Sequence, residues 1–115
     1  MRIPIAILLL LFCSASLACK GPDYVWENTL NSEKHQVQGP FTIEELEKEH
    51  MIHIRETKQI LPFGYSNKTW MKLKGLYRDG DKFFYVKYVD GHFFVEHYVL
   101  VRGECVIGAL HGAIS

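Results

Sequence analysis

The sequence predicts an α+β domain, with two short helices packed on an antiparallel sheet whose C-terminal part is a three-stranded meander. Three observations carry this prediction. Asp79-Gly80, Asp90-Gly91 and Arg102-Gly103 punctuate aromatic and β-branched runs near the C-terminus, and such pairs between apolar runs are a strong short-range hairpin signal. Helix-start signals stand earlier, at Thr42 with Glu45 and at Ser66. Helical and strand patterns are also segregated along the chain, which favours α+β over an alternating α/β order.

The elements follow in order. Tyr24-Val25-Trp26 is a short apolar patch and reads as a strand, with Asn28 to Gln38 as a loop or weak second strand. Gly39-Pro40 marks a turn. Thr42 and Glu45 form a capping box, because hydroxyl and carboxylate can each accept from the other residue's free amide. Ile43 to His50 then reads as a short amphipathic helix, with Ile43 and Leu46 on one face. Alternation from Ile52 to Leu61 predicts a strand with Ile52, Ile54 and Ile60 on one side, ended by Pro62-Phe63-Gly64. Ser66 caps a second helix through Leu73 that buries Trp70 and Leu73, with Gly75 as its terminator.

Strands are expected at about 82–89, 92–101 and 104–110. A two-residue loop at Asp90-Gly91 sets Tyr88 opposite Phe93, Val86 opposite Val95 and Phe84 opposite His97. The other face then holds Phe83, Tyr85, Phe94 and Tyr98, with Lys87, His92 and Glu96. Both faces are rich in aromatic residues, so the second is either covered by helices or makes contact with something else.

The chain has 115 residues, with 13 basic and 13 acidic side chains, 48% hydrophobic and 13% aromatic residues. That length allows one domain, and the balance of charge excludes the cationic surplus that nucleic-acid binding requires. The start has the layout of a secretory signal peptide: Arg2, an apolar run from Ile3 to Phe12, then small residues through Ala18. The apolar run is shorter than the roughly 20 residues of a spanning helix. Residues 1–18 are therefore expected to be a removed leader, and 19–115 a single exported domain of periplasm or cell envelope.

Cleavage would remove Cys13 and leave Cys19 and Cys105. In an oxidising compartment these two can pair, and if Cys19 is modified Cys105 becomes a small buried hydrophobe. Leu17-Ala18-Cys19 resembles the lipobox of bacterial lipoproteins. That resemblance implies an acyl chain on Cys19 and a membrane tether through lipid alone.

Chemistry-bearing clusters are few. Glu49, His50, His53 and Glu56 invite a metal reading, but the expected helix-to-strand boundary falls between the two histidines, and surface histidines at a helix end are the favoured interpretation. Cys105 with His97 or His111 would need an activated thiolate to act as a nucleophile, so a structural cysteine is expected. The polar face of His53, Arg55 and Thr57, beside Lys87 and Glu96, marks a charged cleft to inspect. No phosphate loop, nucleophile elbow or paired-carboxylate motif is present, and no cofactor is expected.

Gly39-Pro40-Phe41-Thr42-Ile43-Glu44-Glu45-Leu46, with Trp70 downstream, resembles the bacterial GYF-like domain. This implies a hydrophobic surface for proline-rich peptides. His53-Ile54-Arg55-Glu56, Ile60 to Gly64, Trp70 and Tyr98 to Gly103 resemble small exported bacterial proteins of unknown function, which implies an envelope location. The expected function is non-enzymatic binding of a protein or peptide through Tyr85, Phe94 and Tyr98, with His92 at the rim, each ring a large rigid anchor. The rival is a small hydrolase or metal-dependent enzyme using His53, Glu56 or Cys105.

Overall fold

A computed structural model describes residues 19–111, so the expected leader lies outside the described residues. Four strands, β1 (His35–Phe41), β4 (Lys82–Asp90), β5 (Phe93–Arg102) and β6 (Cys105–His111), form one antiparallel sheet in the order β1-β4-β5-β6. A separate hairpin pairs β2 (Met51–Ile54) with β3 (Gln59–Pro62). Three helices, α1 (Trp26–Leu30), α2 (Ile43–Glu49) and α3 (Asn67–Leu76), complete the α+β architecture and its C-terminal meander.

The meander forms as its punctuation predicts, with one adjustment. Asp90 pairs with Phe93 and Arg102 with Cys105, so the loops are Gly91-His92 and Gly103-Glu104. Each glycine takes the first loop position with positive φ, 63° and 59°, where a II′ turn requires it. Tyr88 consequently faces Val95, and Val86 faces His97, two residues from the expected pairing. A shift of two leaves every side chain on its expected face, whereas a shift of one would have reversed them all.

Both faces carry a core. On one lie Phe83, Tyr98, Leu100 and Leu110, packed against Leu46, Phe63, Trp70 and Leu73 from the helices and the segment between them. On the other, Val86, Val99 and Val101 pack against Trp26. Each such side chain contributes about 1.5–3 kcal/mol on burial. α2 begins with the expected capping box: the Thr42 hydroxyl accepts from Glu45 N at 3.1 Å, and Glu45 Oε1 accepts from Thr42 N at 2.9 Å. Trp70 Nε1 and Lys74 Nζ both donate to Glu47 Oε2, at 2.8 and 3.0 Å, tying α3 to α2.

Five local expectations are corrected. Tyr24-Val25-Trp26 is not a strand: Pro22–Tyr24 is a 3-10 turn, Val25 makes one bridge to Cys105, and Trp26 opens α1. Trp26 N donates to Glu104 O at 2.8 Å, which anchors the indole over the sheet. Gly39-Pro40 is not a turn but lies inside β1, where the register shifts between Gln38 and Phe41. β1 is an edge strand and Pro40 sits at its irregularity, both places where a residue without an N–H is accommodated in a sheet. The segment 52–61 is two strands joined by a turn, not one. Lys58 takes positive φ there, and Ile60 pairs with His53, away from the Ile52 and Ile54 side. Ser66 provides no side-chain cap; instead Asn67 Nδ2 donates to Pro62 O at 3.0 Å. Gly75 lies within α3, which runs on to Leu76.

Cys19 and Cys105 are joined by a disulfide across 86 positions. It fastens the first described residue to the β5–β6 turn.

Candidate functional site

The helix-side face of β4 and β5 is where the expected binding residues lie, and the structure divides them. Tyr98 is 6% exposed and sits beneath α2 and the β3–α3 connection. Its hydroxyl is 2.7 Å from His50 Nε2. The His50 ring stacks on Phe63 at 4.5 Å, and Phe63 meets Tyr98 edge-on at 5.7 Å. Phe63 reaches this place from a left-handed backbone conformation, φ 62°, and its N–H donates to the His50 carbonyl at 2.7 Å. For a bulky side chain that conformation costs energy, and burial of the ring offsets it. The Pro62-Phe63-Gly64 break thus does more than end a strand, because it delivers the ring that clamps His50 and Tyr98.

Tyr85, half-buried, stands beside Tyr98 with ring centroids 5.5 Å apart. The two phenols join Gln38, Phe41, Glu49 and Glu96 around a recess of about 310 Å³. β1 contributes Gln38 and Phe41, the end of α2 contributes Glu49, and β5 contributes Glu96. Burial above all, and then the Glu96 carboxylate, pushes the Tyr85 hydroxyl up to about 12. Tyr98 is raised by burial and by Glu49 and Glu96. Burial holds His50 below its ordinary value, with Glu49 opposing. Both phenols therefore stay protonated at neutral pH, and the carboxylates make the recess electronegative.

Beyond the recess the helix cover ends. Phe94 is 55% exposed, His92 lies exposed in the loop, and Phe93 is exposed on the opposite face. Lys87 Nζ sits 4.7 Å from the Phe94 ring centroid. The four expected residues therefore form a wall and a tip rather than one flat patch: Tyr85 and Tyr98 inside the recess, Phe94 and His92 at the hairpin end.

The residues of the enzymatic alternative are dispersed. Cys105 has no free thiol, His53 is exposed on β2, and Glu56 lies in the β2–β3 turn, where its Oε2 accepts from Tyr65 Oη at 2.6 Å. The β2–β3 hairpin is hydrogen-bonded to itself and not to the strands carrying Lys87 and Glu96. His50 and His53 fall on either side of the α2–β2 boundary, and among the described residues no group of three potential ligands could hold a metal. Trp70 has no exposed surface, so its ring presents nothing to a proline-rich peptide. Among the described residues no helix is long and apolar enough to cross a membrane. The sulfur of Cys19, engaged in the bridge, is not a free thiol for a lipid thioether.

Sequence reasoning missed Phe63, Gln38 and Phe41 as parts of the site and placed Glu49 and His50 on a bare surface. The available signal was an aromatic residue locked between proline and glycine, where burial of that ring is the use for so constrained a turn. Compared with known protein families, curated proteins and solved structures, the chain matches none.

Proposed function

We propose that this chain is an exported, non-enzymatic domain of the periplasm or cell envelope that binds a protein or peptide at the helix-side end of the β4–β5 hairpin. One observation carries the reading. Helix cover stops at Tyr98, and the sheet face continues past it with half-buried Tyr85, the cross-strand Lys87–Glu96 pair and, at the hairpin end, exposed Phe94. Aromatic side chains at the rim of a recess are rigid anchors that bury much area for little entropy. The Cys19–Cys105 bridge supports export, since such bonds persist in oxidising compartments. The leader-like residues 1–18 and acylation of Cys19 belong to the same reading, with lipid and bridge as exclusive fates of its sulfur.

Selection of displayed random peptides against the oxidised chain from Cys19 onward tests this. Binders that lose at least about tenfold in affinity on Phe94→Ser or Tyr85→Ser, with the thermal midpoint retained, support it; losses of that size come from truncating an aromatic anchor. Binders indifferent to both substitutions would remove it.

A further inference from the structure

We infer that the recess between Tyr85, Tyr98, Glu49 and Glu96 receives a cationic side chain, an arginine or lysine of the bound polypeptide. This rests on the partner-binding reading and names the chemistry that its site selects.

The argument starts from the charges. Glu96 lies directly opposite Lys87 in the β4–β5 pairing, the position where an exposed sheet ordinarily forms an ion pair. The Lys87 ammonium instead sits over the Phe94 ring. The ion pairs among the described residues are Lys34–Asp90, Lys74–Glu47 and Arg102–Asp81, and neither Glu49 nor Glu96 takes part in one. The recess thus has two carboxylates, from different elements, with no lysine or arginine among its lining residues.

Its walls supply the rest. Phe41, Tyr85 and Tyr98 line the same recess as the carboxylates, and Gln38 adds an amide. Aromatic faces attract a cation through the negative face of the ring, and carboxylates complement its charge and its N–H donors. A neutral apolar side chain would leave both carboxylates partly desolvated with no compensation, and an anion would be repelled. The volume, about 310 Å³, admits one side chain with part of its backbone. Lys87 on Phe94 shows the same cation-on-ring contact a few residues away.

The test uses two probes of equal shape and different charge, Gly-Gly-Arg-Gly-Gly and its citrulline counterpart, titrated into the oxidised chain from Cys19 onward. Ring resonances of Tyr85 and Tyr98 report occupancy. Saturable shifts with the arginine peptide, about tenfold weaker with citrulline, and lost in the Glu49→Gln/Glu96→Gln variant are expected. Neither glutamate is in an ion pair of the fold, and glutamine still offers an acceptor to the Tyr85 hydroxyl that Glu96 engages, so that variant is expected to keep its dispersed spectrum, which checks its folding. Equal responses to both probes, or shifts that persist in the double variant, would overturn the inference. Selected peptides that depend on Phe94 yet bind the double variant unchanged would leave the partner-binding reading standing and remove only the cation site. Arginine seated in the recess while no selected peptide depends on Phe94 or Tyr85 would do the reverse.

Discussion

Removal of the Cys19–Cys105 bridge is expected to cost this chain a large part of its stability. The two residues stand 86 positions apart, so the bond closes almost the whole described chain into one loop. The entropy withheld from the unfolded chain grows with the logarithm of that length and amounts to about 4–5 kcal/mol at about 25 °C. Little of this is returned through rearrangement of the folded state. Val25 bridges to Cys105 and Trp26 N donates to Glu104 O at 2.8 Å, so the N-terminal segment is held beside the β5–β6 turn by its own backbone. A domain of this size has about 5–15 kcal/mol in all, so loss of the bond removes about a third of that margin or more. Urea unfolding of the oxidised chain and of Cys19→Ser/Cys105→Ser measures the difference. Trp26 and Trp70 are both buried, one on each face of the sheet, so their fluorescence follows both cores. The midpoint should fall by the equivalent of about 4–5 kcal/mol, and the slope should rise because the unfolded chain opens further. A difference below about 1 kcal/mol with an unchanged slope would refute the loop-entropy argument.

Two glycines are expected to respond in opposite directions. A Cβ on Gly108 would lie 2.7 Å from Leu73 Cδ1, so Gly108→Ala should destabilise by about 1–3 kcal/mol through overpacking of α3 on β6. Gly75, inside α3 with nothing within 4 Å, should gain about 1 kcal/mol as alanine; thermal melts that rank both variants alike would contradict the packing. Stability should also fall on mild acidification. His50 and His97 are held below their ordinary value chiefly by burial, with His111 and His35 adding to the effect at His97. The unfolded chain then takes these protons first, so stability is full above about pH 6.5 and declines as pH drops through it toward the folded values. Glu47, lowered by the Trp70 N–H bond, and Asp81, lowered by Arg102, act only below about pH 4.5. Urea midpoints at about pH 7 and about pH 5 should differ less in His50→Gln/His97→Gln than in the parent, and an equal difference would dismiss the histidines as its source.

Much of the fold was legible because its signals are local. The capping box of Thr42 and Glu45 satisfies two amides three residues apart, and nothing distant is needed to form it. Glycine with positive φ at the hairpin loops is likewise a local demand, and the face assignment survived the two-residue register shift because side chains alternate with period two. The 52–61 segment was less legible: its alternation runs through the Arg55–Lys58 turn without a glycine or proline to announce it.

The sequence by itself determined the strand-rich C-terminus, the two capped or amphipathic helices, and the pairing open to Cys19 and Cys105. Only the tertiary structure decided which aromatic residues are core and which are surface. Tyr98 and Phe94 share one sheet face and one pattern, yet the helix layer covers the first and stops short of the second. The recess has the same origin. Gln38, Glu49, Tyr85 and Glu96 come from four separate elements, and no spacing along a chain encodes a distance that exists only after β1, α2, β4 and β5 have packed.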